Sequence, residues 1–216
     1  MTLLSICIPT FNRGPFLEKC LKSITDDMKK LGTNKRKIKI RVFDNDSDDD
    51  TALIVSKFSN ICDELTYSKN KKNFGSDYNI AQCYNSSEGE YTWVIGDDDQ
   101  ITPHTLSYII DLIENADHQY GAIYLNAYSY NKKEFSPAPI FKKPQVVSNY
   151  DFIKKLNVRT MFISSMVLKN YRGIDALKYR GTWMVQLHYL LEALKKRETQ
   201  LITYRYSLIA QRENAG

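Results

Sequence analysis

Three consecutive carboxylates, Asp97-Asp98-Asp99, follow the run Tyr91-Thr92-Trp93-Val94-Ile95-Gly96. A β-prone, apolar run that ends in glycine and acids reads as a buried strand opening into a site. In an extended backbone, alternate side chains share a direction, so Asp97 and Asp99 face one point and Asp98 faces away. Adjacent unneutralised carboxylates repel one another, and a nearby cation is the usual remedy. Hard divalent cations such as Mg²⁺ or Mn²⁺ take oxygen ligands, and Mg²⁺ is often held by one or two carboxylates together with substrate phosphates. The bland alternative is an acidic surface turn after a strand.

The segments around this motif alternate between strand and helix patterns. Leu3–Ile8 is a short apolar run ended by Pro9, and Phe16, Leu17, Cys20, Leu21, Ile24, Met28 and Leu31 then recur at helical spacing. Pro15 suits the first turn of that helix. Lys37–Phe43 reads as a second strand and exits into Asp44-Asn45-Asp46-Ser47-Asp48-Asp49-Asp50-Thr51. This acidic run is not a calcium loop, because the sixth and twelfth positions hold Asp49 and Val55 instead of Gly and Glu. Its later acids read as N-terminal residues of a helix over Thr51–Phe58, whereas Asp44 leaves the strand first. Leu65–Ser68 forms a third strand, Ser76 or Asp77 caps a helix reaching Tyr84, and the fourth strand carries the three aspartates. Thr102-Pro103 then opens a helix, as a cap followed by proline. Gly121–Tyr128 is a fifth strand. Strand–helix repetition predicts an α/β fold with a mostly parallel central sheet, flanking helices, and ligands at the strands' C-terminal edge.

The proline-containing stretch Ser136–Val147 is the expected boundary between two halves. After it come a helix at Tyr150–Leu156, an apolar segment Met161–Leu168, a helix near Thr182–Lys195 and a last strand Thr199–Tyr206. The sequence stops soon after that strand, so a truncated or missing C-terminal tail is expected.

The chain has 216 residues, 43% hydrophobic and 25% charged, which suits one large folded domain. Net charge is +5 although acids crowd Asp44–Asp50 and Asp97–Asp99, so basic pairs and triplets dominate elsewhere. These are solvated faces or a surface that favours anionic membrane lipid. Cys7, Cys20, Cys62 and Cys83 lack metal or disulfide spacing and read as small buried hydrophobes. No segment approaches the ~20 apolar residues of a membrane span. A cytoplasmic protein is expected, with peripheral contact to the inner face of the plasma membrane as an option.

Three loops thus meet one sheet edge, and their sequences resemble the family-2 inverting glycosyltransferases of the GT-A fold. The matching stretches are Ser5-Ile6-Cys7-Ile8-Pro9-Thr10-Phe11-Asn12-Arg13, Val42-Phe43-Asp44-Asn45-Asp46-Ser47-Asp48-Asp49 and Gly89 through Asp99. The resemblance covers residues 3 to about 126 well and the remainder weakly. It implies a nucleotide-sugar-binding half (1–130) and an acceptor-side half (131–216). It further implies that Pro9, Thr10 and Phe11 line the base pocket with Asn12 and Arg13 beside it, and that Asp44 accepts a hydrogen bond from the base. Asp97 would lie by ribose and metal, with Asp98 alongside, and Asp99 would ligate Mn²⁺ or Mg²⁺. The implied partners are a nucleoside-diphosphate sugar (UDP, GDP, CDP or dTDP) and a saccharide acceptor, lipid-linked in surface-polysaccharide assembly, with no nucleic acid.

Two departures from the family pattern matter. After Asn73-Phe74-Gly75 the family's Ala-Arg-Asn is replaced by Ser76-Asp77-Tyr78-Asn79, so Asp77 and Asn79 would take over donor contacts together with Asn73, as in a subgroup resembling bacterial abequosyltransferases. The family's Glu-Asp pair in the second half is also absent. His188 falls near that position and is the expected general base, or else a half-buried helix histidine; Asp175 and Glu192 are weaker choices. Trp183 and Tyr189 on the same predicted helix either stack on a sugar or pack in the core. A non-catalytic sugar-binding module stays open. A nucleotidyltransferase would want a glycine-rich phosphate loop, and a Rossmann dehydrogenase would want G-x-G-x-x-G after the first strand.

Overall fold

The computed structural model describes residues 2–117, 119–129 and 143–210. The predicted boundary stretch falls largely outside the described residues, as does the tail 211–216. In chain order the strands are β1 (Leu4–Thr10), β2 (Ile38–Asp44), β3 (Leu65–Lys69), β4 (Tyr91–Val94), β5 (Gln100–Ile101), β6 (Ala122–Ser129), β7 (Gln145–Val147), β8 (Met166–Lys169) and β9 (Gln200–Ala210). The helices are α1 (Gly14–Met28), α2 (Thr51–Ser59), α3 (Ser76–Asn85), α4 (Thr105–Glu114), α5 (Asn149–Leu156) and α6 (Val185–Lys196).

The sheet order is β3-β2-β1-β4-β8-β6-β9-β5, with β7 on β9. The expectation of a mostly parallel sheet holds for β3, β2, β1 and β4. β6 and β9 pair in parallel and run in the same direction as these four, while β8 enters antiparallel between β4 and β6, and β5 and β7 pair antiparallel with β9. Among the described residues β5 and β7 each follow a strand with no helix between, so the rule that makes strands parallel does not act on them. Both halves of the chain contribute to this single sheet. β1 also runs through Pro9 to Thr10, past the stop that the proline suggested. Proline lacks an amide donor but keeps its carbonyl, and its ring accepts an extended backbone.

Apolar residues of β1, β2 and β4 are wholly buried between helices, as in Leu4, Ile6, Ile8, Val42, Trp93 and Val94. One core cluster packs beneath α1, α2 and α4, and a second beneath α3, α5 and α6. All four cysteines are free and buried, which agrees with their reading as small hydrophobes. The α4 cap differs from expectation. The helix starts at Thr105, and its cap residue His104 has φ 64 and offers no side-chain bond. The buried Asp27 at the end of α1 caps it instead, accepting from His104 N (2.6 Å) and Leu106 N (2.9 Å). Thr102 Oγ1 turns instead to the Tyr206 carbonyl, to which it donates (2.9 Å), and to Thr105 Oγ1 (3.0 Å). No helix of the described residues is long and apolar enough to cross a membrane.

Candidate active site

Strands β1, β2 and β4 end side by side, and the loops that leave them enclose a cavity of about 350 Å³ with α3 and Ile163. Pro9, Thr10, Phe11 and Arg13 line it from the first loop, Asn45 from the second, and Gly96, Asp97 and Asp98 from the third. Asn73, Gly75, Ser76, Asn79 and Ile80 close the α3 side.

Side chains lock the loops to one another. Thr10 Oγ1 donates to Asp97 Oδ2 (2.8 Å). Arg13 reaches Asp98 Oδ2 at 2.8 Å and Asp97 Oδ1 at 3.3 Å. Asn12 N–H donates to Ser47 Oγ (2.9 Å), and its Oδ1 accepts from Asp48 N (2.9 Å). Asp49 accepts from Gly14 N (2.8 Å) and Thr51 N (3.0 Å), so one carboxylate serves the first turns of α1 and α2 together. Burial opposes the Asp49 charge, but those donors outweigh it and hold its carboxyl below the ordinary range. Asp49 is thus structural, as its position before a helix suggested.

The expected orientation of the triple aspartate is corrected. Residues 97–98 form a turn, with Asp99 N–H donating to Gly96 O (3.1 Å), so alternation along an extended backbone does not apply. Asp97 and Asp98 both face Arg13 and the cavity. Asp99 is buried behind them and accepts from Ser164 Oγ. Asp44 is also buried, accepting from Ser47 N (2.8 Å), Ser47 Oγ (2.6 Å) and the Tyr67 hydroxyl. Asp77 turns from the cavity and accepts from Gly181 N (2.7 Å) and Trp183 N (2.9 Å). Asn79 lines the wall and donates to Phe43 O (2.7 Å). Asn73 accepts from Asn45 Nδ2 (2.7 Å) and Gly75 N (2.8 Å).

His188 lies elsewhere. It stacks on Tyr179, ring centroids 4.6 Å apart, and lines a separate cavity with Tyr150, Ile153 and Leu191. That cavity shares no lining residue with the first. Glu192 also lines the His188 cavity, and Asp175 caps the short turn at Ala176–Tyr179. Tyr189 is core, stacked on Tyr84 at 4.1 Å, but Trp183 precedes α6 and is 77% exposed.

The sequence reading did not pick out Asn45 and Ser164 for the site. Asn45 Oδ1 accepts from Phe74 N (3.0 Å) and Asn70 Nδ2 (2.9 Å), which ties the second loop to the turn before α3. Its place next to Asp44 was the available signal. Ser164 comes from the second half of the chain, accepts from Gly96 N (2.9 Å) and donates to Asp99, and nothing local in the sequence marks it. Ser164→Ala removes both bonds inside a buried site. It is expected to lower stability by about 1–3 kcal/mol, read as a drop in the denaturant midpoint at constant slope.

Burial is the main influence on Asp97 and pushes its carboxyl up to about 6; the Arg13 charge and the Thr10 hydroxyl resist this, and the Asp98 charge adds to it. The unfolded chain therefore releases this proton near pH 4, while the folded protein keeps it until about pH 6. Stability falls as pH rises through that window and is level above it, by about 3 kcal/mol in all. In EDTA, the melting temperature of Asp97→Asn should gain on that of the parent between pH 4 and pH 6.5. Parallel pH courses would refute the raised carboxyl.

Among the described residues no three side chains of the His, Cys, Asp or Glu type converge on a point that could hold a metal ion. Asp97 and Asp98 nonetheless present hard oxygen donors to the cavity. Two carboxylates suffice where substrate phosphates complete the shell, so the donor set fits Mg²⁺ or Mn²⁺.

The description "Glycosyl transferase family 2" matches residues 5–170. An abequosyltransferase of Salmonella typhimurium is 32% identical over 108 residues, 50% of this chain and 31% of that protein. A GalNAc(5)-diNAcBac-PP-undecaprenol beta-1,3-glucosyltransferase of Campylobacter jejuni is 31% identical over 156 residues, 71% of this chain and 48% of that one. This chain therefore spans less than half the length of these two relatives. The fold is GT-A-like: TarS of S. aureus, solved with UDP-GlcNAc, superposes with a TM-score of 0.76 at 17% identity, covering 100% of this chain and 60% of its own. The mannosyltransferase PcManGT of Pyrobaculum calidifontis, solved with GDP-Man and Mn²⁺, gives 0.65 at 17% identity, with 99% and 58% covered. The three strand-end loops and a match over residues 5–170 lead to one conclusion: the chain belongs to glycosyltransferase family 2.

Proposed function

We propose that this glycosyltransferase moves a sugar, with inversion, from a nucleoside-diphosphate donor to a hydroxyl of a surface-polysaccharide acceptor carried on a lipid. The observation that carries the reading is the cavity itself. Its volume of about 350 Å³ suits a small ligand, and it joins an apolar, aromatic rim (Pro9, Phe11) to a carboxylate–guanidinium cluster. The rim takes the base, and the cluster takes the ribose and diphosphate. The nucleotide sugars bound by the two fold neighbours and the undecaprenol-linked saccharide in the name of the Campylobacter jejuni relative support this choice.

Asp98, the more exposed of the two cavity carboxylates, and Asp97 would hold the divalent cation, which when bound neutralises charge on the departing diphosphate. Asp99 is buried and outside the cavity lining, bonded to Ser164. Arg13 bridges the two carboxylates and supplies a fixed positive charge on the diphosphate side. Thr10 orients Asp97. Asp44 acts on the base indirectly, by setting the second loop through Ser47 and Tyr67. Peripheral contact with an anionic membrane face is part of this reading, supported by Lys154, Lys155, Lys195 and Lys196 in the last turns of α5 and α6 beside the exposed Tyr150.

Thermal shift with UDP, GDP, CDP and dTDP, each with Mn²⁺ or EDTA, tests the proposal. One nucleotide should raise the melting temperature in proportion to the logarithm of its saturation, and more so with metal. No shift from any of the four would reject it.

A further inference from the structure

Trp183 is an exposed tryptophan in a backbone conformation that bulky residues avoid. Its φ is 62 and its relative exposure 77%. A left-handed tryptophan that buries nothing gains no packing for its strain, and such strain persists where the surroundings impose it. Here the surroundings are specific. The buried carboxylate of Asp77 accepts from the N–H of Trp183 and of Gly181, which has φ 90. Asp77 stands in the first turn of α3, next to Ser76, whose neighbours Asn79 and Ile80 also line the cavity. On the other side, Gln186 Nε2 donates to Met161 O (3.4 Å), near Ile163 of the cavity wall. The loop at 181–183 is therefore tied through Asp77 to the helix that closes one side of the cavity, and the start of α6, just after it, is tied through Gln186 to Met161.

We propose that Trp183 is the acceptor platform: its indole face stacks on a pyranose ring of the saccharide that receives the sugar, and Asp77 is the positioning residue that holds it there. The C–H bonds on a pyranose face carry slight positive charge and meet the negative face of the indole, while the saccharide hydroxyls stay solvated at the ring's edge. The inference rests on the glycosyltransferase reading of the cavity. It gives Asp77 an acceptor-side task in place of the donor contact suggested by its sequence position.

The chain provides its own probe, because Trp93 is fully buried and Trp183 is exposed, so acrylamide quenching reports mainly on Trp183. With the nucleoside diphosphate selected by thermal shift bound, methyl glycosides and disaccharides of glucose, galactose, mannose, N-acetylglucosamine and N-acetylgalactosamine are screened for protection. At least one should protect. With that saccharide as acceptor, Trp183→Ala should raise acceptor KM about tenfold, with donor KM and hydrolysis of the donor by water unchanged, and Trp183→Tyr should recover most of the loss. Asp77→Ala should behave like Trp183→Ala, and the double variant should be no worse than either alone. Parental acceptor KM in Trp183→Ala overturns the inference even if Asp77→Ala does not fold. So does protection by anionic phosphatidylglycerol vesicles but by no saccharide, which would make Trp183 a membrane contact. A parent that binds none of the nucleotides overturns the underlying glycosyltransferase reading instead.

Discussion

Asp98→Asn is expected to lower kcat/KM for sugar transfer by roughly 10²–10³-fold, the usual loss when one preorganised charge at a developing anion is removed. The substitution keeps size and hydrogen-bonding capacity but removes the negative charge. Arg13 still has Asp97, and the Asp98 side chain is 26% exposed, so the fold should be nearly unaffected. The check is double: steady-state kinetics with the selected donor, and calorimetry of nucleoside diphosphate with and without Mn²⁺. The metal-dependent part of the affinity should vanish while the metal-independent part remains. Near-parental turnover would move the metal role to Asp99, and Asp99→Asn would then be the variant to measure.

The largest stability effect is expected at Asp27. Asp27→Ala leaves the N–H groups of His104 and Leu106 without their acceptor at the buried start of α4, and each orphaned group costs about 1–3 kcal/mol. A total of roughly 2–6 kcal/mol is a large part of the 5–15 kcal/mol that holds an ordinary domain together. Urea unfolding should show a lower midpoint at unchanged slope. Asp27→Asn keeps one acceptor oxygen and should fall between the two. A loss below about 0.5 kcal/mol, the level of an ordinary surface change, would mean that water replaces the carboxylate at this cap.

These two residues also mark where sequence reasoning succeeds and where it stops. Asp98 was visible because it belongs to a short-range pattern, an apolar run that ends in acids. The same kind of pattern located β1, β2, β4 and the cavity loops to within about two residues. Its orientation was misread, since a turn at 97–98 replaced the extended backbone on which alternation depends. Nothing in the local sequence singles out Asp27 at the end of α1. Its partners are 77 and 79 residues away, and no local pattern encodes such a contact. The same holds for Ser164, for β8 between β4 and β6, and for the exposure of Trp183. His188 shows the converse error. Position along the chain suggested a place in the site, but α6 turns that face toward Tyr179 and α5.

The placement of β8 has a consequence for how the chain comes to be folded during synthesis. A ribosome delivers β4 and β6 well before residues 166–169 exist. Until then both strands present an open edge at the point where β8 will bridge them, and the Trp93 indole N–H lacks its acceptor, the Ser164 carbonyl (2.7 Å). Closure must wait for a contact about 70 residues distant in sequence, which slows folding and leaves hydrophobic edges open to other nascent chains. Chaperone demand should therefore peak after β6 emerges and fall once β8 does. A piece cut at residue 130 would keep the three strand-end loops yet carry that open seam permanently.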